Sequence, residues 1–114
     1  MYEYNGNNDY GLNDLVEFAL EAPAGKEILA EAIYVTKMLI QKNISYGNSA
    51  LYPASIFSKG TAVEQLSARL DDKLNRIKNN QTFENEGMVD AVDDILGYLI
   101  LLKIAIKHQL KEDI

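Results

Sequence analysis

Three groups of side chains in this sequence have the types and spacing to do chemistry. Arg69, Asp72, Lys73 and Arg76 lie three and four residues apart, so a helix brings them onto one face. Cations so placed suit a phosphate, with Asp72 orienting the guanidinium groups. The same four residues also form an i,i+3/i,i+4 ladder of ion pairs on a solvated surface, and spacing alone favours the ladder.

The second group is acidic: Glu86, Asp90, Asp93 and Asp94 share a helical face with Gly97. The missing Cβ at Gly97 lets a ligand or another helix come close. Carboxylates at this spacing suit Mg2+, a hard cation that takes oxygen ligands and keeps several waters. Acids near a helix N-terminus are also favoured by the macrodipole, and pattern alone prefers that plainer reading. Glu27 and Glu31, one turn apart on an earlier helix, are candidates to complete a metal site. Glu31 is the stronger of the two, because apolar residues bracket it. The third group is the loop Ser45-Tyr46-Gly47-Asn48-Ser49, where Tyr46 and Asn48 offer an aromatic face and an amide to a base or ribose; without context it is a turn. His108 has no partner at triad or metal spacing and receives no role.

The elements that position these groups read as helices. Asn13 is placed to cap a short helix over residues 14–21, ended by Pro23 and Gly25. Ile28, Ala32, Val35 and Leu39 recur at helical spacing and predict a second helix over 26–42. Residues 43–60 break the pattern, and Pro53 is placed to start a short helical turn near Phe57. Thr61 and Glu64 form a capping box opening a third helix, with an apolar seam of Val63, Leu66, Leu70, Leu74 and Ile77 that closes at residues 79–81. A fourth helix is predicted over 85–110. Its first half points Val89, Val92 and Leu96 inward and Asp90, Asp93 and Asp94 outward, and its second half is apolar nearly all round and therefore central. The expected fold is an all-α bundle of four main helices plus a short helical turn, in one domain. Residues 1–25 form an arm and short helix, and 26–110 the bundle.

At 114 residues, with 47% hydrophobic and 25% charged residues, the chain has enough apolar material for a core. It has no cysteine, so neither disulfides nor thiolate metal sites are available, as suits a reducing, cytoplasmic compartment. Residues 1–6 lack the basic start and apolar run of a signal peptide, and no apolar run approaches the ~20 residues that span a bilayer. A net charge of -6 argues against duplex nucleic acid as a partner. The charge is blocked. No acid lies between Glu31 and Glu64, and no base between Glu84 and Asp94, a distribution suited to opposed walls of a site that handles phosphate and metal together.

Three segments together resemble a known family. Lys42-x-x-Ser-Tyr46-Gly47-Asn48-Ser49, Arg69-x-x-Asp72-Lys73-x-x-Arg76 and the stretch from Glu86 through Asp90, Asp93 and Asp94 to Gly97-Tyr98 resemble the nucleotide modification associated domain 1 family of phage and prophage proteins. The resemblance covers roughly residues 26–106. The chain is also similar in outline to the MazG-like all-α NTP pyrophosphatases, which bind Mg2+ and nucleotide phosphates through helix-borne acids and build their sites between subunits. Where those enzymes carry Glu-x-x-Glu, this chain has Glu27-x-x-x-Glu31. The resemblance therefore implies nucleotide binding more directly than hydrolysis. It implies a phage-type protein of the host cytoplasm and a homo-oligomer, with Tyr46 and Asn48 facing the base, Arg69, Lys73 and Arg76 the phosphates, and Glu31, Asp90, Asp93 or Asp94 the metal. Two other functions fit the same residues: a non-enzymatic binder that sequesters a nucleotide or a host immune nucleotide signal, and a structural oligomerisation module.

Overall fold

A computed structural model describes residues 10–79 and 86–112, with Tyr10 and Glu86 as backbone only. The chain is all-α: α1 Tyr10–Glu21, α2 Gly25–Ser45, α3 Ala62–Asn79 and α4 Glu86–Glu112, with no strand among the described residues. Residues 1–9 of the arm expected over 1–11, the closing residues 80 and 81 of the third helix, and Asn85 at the start of the fourth lie outside those described, whereas residues 10 and 11 of that arm already belong to α1. The molecule divides into two compact units, residues 1–36 and 37–114, and the division falls within α2.

In the first unit, α1 begins one turn earlier than an Asn13 cap would place it. Once a helix has nucleated, extending it by a residue costs little, so an exposed Asn is tolerated inside it. The helix stops where expected, at Pro23. Ala22 donates its N–H to the Phe18 carbonyl at 3.1 Å, Ala24 takes a left-handed φ of 56°, and the Ile28 N–H donates to the Ala24 carbonyl at 3.0 Å to start α2. Gly25 is buried in this corner, where a Cβ would stand 2.0 Å from the Ala19 carbonyl oxygen. Only glycine fits there.

In the second unit, α2 runs three residues beyond its expected end and closes in a Schellman cap. The Asn48 N–H donates to the Asn43 carbonyl (3.0 Å) and the Gly47 N–H to the Ile44 carbonyl (3.2 Å), with Gly47 at φ 61°. Residues 46–60 then descend through turns. The helical turn anticipated after Pro53 does not form. A single α-type turn forms just before it instead, with the Tyr52 N–H donating to the Asn48 carbonyl at 3.1 Å, and this turn seats Ala50 and Leu51 against the core.

The capping box of α3 is present. The Glu64 N–H donates to Thr61 Oγ1 at 3.1 Å and the Thr61 N–H to Glu64 Oε1 at 3.3 Å. Replacing Thr61 with alanine is expected to cost about 1 kcal/mol of stability, read as a shift in urea midpoint; an unchanged midpoint would show that the box is ornamental. Behind the cap, α3 packs against α4. Leu66, Leu101 and Ala105 form the core, closed over by Leu39, Leu51, Val63, Tyr98 and Leu102.

The orientation of α4 overturns the expectation for its first half. Val89, Val92 and Leu96 are exposed, whereas Asp93 is buried and Asp94 half-buried; only Asp90 is exposed as expected. The second half decides this. With Leu101 and Ala105 in the core, 100° per residue carries the same face back through Gly97 to Asp93 and Asp94. Nor is the second half central all round, since Leu99, Ile100, Ile106 and Leu110 remain exposed.

Candidate functional site

The turned-in acids meet the cations of α2 and α3. Asp94 Oδ1 accepts from Lys42 Nζ at 3.1 Å, and its Oδ2 accepts from Lys73 Nζ at 3.0 Å. One carboxylate thus ties the last turns of α2 to the middle of α3. Burial alone would raise the Asp94 pKa, but the hydrogen bonds from Lys73 and Lys42 outweigh it and hold the carboxyl below the usual carboxylate range. The hydrogen bond to Asp94 holds the Lys42 ammonium above its ordinary value, against a smaller desolvation effect.

Beside this bridge lies a cavity of about 290 Å3. Met38, Leu39, Ala50 and Leu101 supply apolar walls, and Tyr46 and Tyr98 supply rings. Lys42, Asn43, Ser49, Arg69 and Asp94 supply polar groups. Gly97 lines it as well: a Cβ there would stand 3.3 Å from Leu39 Cδ1, so the bare backbone admits the α2 side chain at close range. Arg69 is exposed at this cavity and makes no ion pair with any described residue. A second cavity, about 340 Å3, is lined by Arg76, Ile77, Gly87, Met88, Asp90, Ala91 and Asp94, so that Asp94 borders both.

The residues anticipated from sequence are therefore divided. Tyr46 and Arg69 line the first cavity with Asp94, and Arg76 and Asp90 line the second. Lys73 lines neither and is engaged with Asp94. Asp72 is exposed and pairs with none of Arg69, Lys73 or Arg76, so among the described residues the ladder on α3 does not form. Asn48 serves the cap: its Oδ1 accepts from Asn43 Nδ2 at 3.0 Å, and its φ of 62° is one that Asn tolerates. Asp93 is 8% exposed and makes no hydrogen bond to a described side chain. Glu31 is exposed on α2 and belongs to the first unit. The side chain of Glu86 lies outside the described residues.

Three contributors were not singled out beforehand as site residues: Lys42, Asn43 and Tyr98. Their signal was available in the spacing, since 42 and 46 are one turn apart, as are 94 and 98. His108, given no role, packs its ring against Tyr52 with centroids 6.2 Å apart. Among the described residues no three Asp, Glu or His side chains gather as a metal-binding group. No helix among them is long and apolar enough to cross a membrane. Comparison with protein-family models, curated proteins and solved structures finds no match for this chain.

Proposed function

We propose that the second unit binds a phosphorylated nucleoside, or a signal derived from one, in the cavity between Tyr46, Arg69 and Tyr98. The observation that carries this reading is the Arg69 guanidinium, without an ion pair among the described residues, beside a cavity that also holds two tyrosine rings, an amide and a hydroxyl. Among the charged groups that line it, Lys42 and Asp94 offset each other and Arg69 leaves one positive charge. A net cationic rim over an apolar, aromatic-lined hollow suits an anionic ligand with a flat ring. The volume is near the lower bound of the ~300–1,000 Å3 typical of small-molecule sites, which favours one nucleoside over a long oligonucleotide. The likeness of the Tyr46-Gly47, Arg69-to-Arg76 and Asp90-to-Tyr98 segments to phage nucleotide modification associated domains supports the same ligand class. It also supports a phage-type role in the host cytoplasm, including capture of a host immune nucleotide signal.

Mg2+-dependent pyrophosphohydrolysis is the second reading, carried by the MazG-like resemblance and by Asp90 beside Arg76 in the second cavity. As they stand, the described acids do not make a cation centre, since Asp94 is committed to two lysines and no third acid joins it. Capture without turnover is therefore the primary reading, and no metal-borne step is derived.

Calorimetry against a panel of NTPs, dNTPs, cyclic dinucleotides and ADP-ribose, with and without Mg2+, tests both. Binding with the ligand recovered intact by mass spectrometry supports capture, release of pyrophosphate moves the reading to hydrolysis, and no heat with any ligand overturns it. Arg69→Ala is expected to weaken binding roughly 10- to 100-fold, the value of a charge-assisted hydrogen bond, while leaving the urea midpoint in place.

A further inference from the structure

The first cavity is lined by three charged groups, and two of them are committed to each other. Lys42 is bonded to Asp94, while Arg69 makes no ion pair with any described residue. The commitment of Lys42 is costly to undo. Asp94 is half-buried and divides its two oxygens between Lys42 and Lys73, so a ligand that drew Lys42 away would leave Oδ1 without its partner in a partly desolvated place. Asp94 is also a boundary. It lines the second cavity as well, where Arg76 is faced by both Asp90 and Asp94, so the groups lining that cavity carry no positive surplus. An anion extended from the first cavity toward the second would leave a cationic lining for an acidic one.

We propose that the ligand of the first cavity carries a single phosphate group, as a nucleoside monophosphate does, and that Asp94 is the residue that sets this limit. The proposal rests on the nucleotide reading and narrows it. The planar fork of one guanidinium offers two parallel N–H donors, which match the oxygens of one phosphate. A second or third phosphate would bring more negative charge with no further uncommitted cation among the described residues lining the cavity. It would also meet the like charge of Asp94 in the same hollow, and a like-charge encounter is how a site turns away a near relative of its ligand. The volume of about 290 Å3 agrees, since it lies at the small end of the sites that take small molecules.

Calorimetry on the full chain without Mg2+, using the 5′-mono-, di- and triphosphate of each common base, reads the limit. Affinity is expected to be highest for a monophosphate and to fall roughly 10-fold or more by the triphosphate of the same base. Asp94→Asn removes the negative charge at nearly constant shape, and in this variant the triphosphate is expected to gain roughly 10-fold on the monophosphate. A far-UV spectrum shows whether the variant folds, and the wild-type series decides the matter by itself if it does not. A triphosphate that binds the wild-type chain as tightly as the monophosphate, or more tightly, overturns the proposal and leaves the nucleotide reading standing. So does a folded Asp94→Asn variant that keeps the wild-type ratio of affinities. Absence of binding by all three phosphates of every base removes both.

Discussion

Leu66→Ala is expected to lower the unfolding free energy by about 3 kcal/mol, within the range of roughly 2–5 kcal/mol measured for buried leucines cut to alanine. Leu66 is 1% exposed, the most completely buried large side chain among the described residues, and it joins Leu101 and Ala105 at the centre of the second unit. Its neighbours cannot collapse easily into the space. Ala105 is already small, and Leu39, Leu51 and Tyr98 are held by helices or by the turn before Pro53. Against a total stability of about 5–15 kcal/mol, such a loss is large. It should appear as a lower urea midpoint at constant slope. Because Leu101 and Tyr98 belong both to this cluster and to the cavity wall, affinity for the proposed ligand should fall with it. A cost under about 1 kcal/mol would show that the centre of the unit lies elsewhere.

Asp94→Ala is expected to cost about 2 kcal/mol near neutral pH. The value comes mainly from Lys73, whose side chain is only 19% exposed and would be left without its acid. The Lys42 contact adds less, because that side chain is half-exposed and screened by solvent. The pH dependence follows from the direction of each shift. Asp94 titrates below its ordinary value of 3.8 in the folded chain, so its stabilisation is complete above 3.8 and is lost as pH falls through the lowered folded value. Lys42 titrates above 10.5 when folded, so its share is complete below 10.5 and is lost as pH rises through the raised folded value. The stability gap between wild type and variant should therefore be flat across the neutral range and narrow in strong acid. Paired urea titrations over pH measure this gap, and one that widened on acidification would contradict the assigned partners. The variant also frees two ammonium groups near the cavity, so affinity for an anionic ligand should not fall in step with stability.

The helices were legible because each leaves a local signature. The capping box at Thr61, the break at Pro23 and the apolar recurrence along residues 28–39 need only neighbouring residues to act. The rotation of α4 was not legible, because it depends on which of two apolar faces the core takes, and both read as inward on the helical wheel. Leu101 and Ala105 settled that choice through contacts with α3, and with it turned Asp94 toward Lys42 and Lys73. The Tyr46-Gly47-Asn48 segment carries two messages in the same letters. Gly47 and Asn48 are there to end a helix, and only Tyr46 of the three borders the cavity. Composition cannot separate a terminator from a ligand loop, whereas backbone hydrogen bonds do.

That terminator has a kinetic meaning. Tyr46 leads directly into a glycine locked at φ 61° and an asparagine stapled back to Asn43, so its backbone is set by folding and not by the arrival of a guest. The entropy of ordering the aromatic wall is incurred once, when α2 closes, and not again at each encounter. For the proposed ligand, capture at this wall is expected to be governed by diffusion and departure, and a slow phase in stopped-flow binding would contradict it.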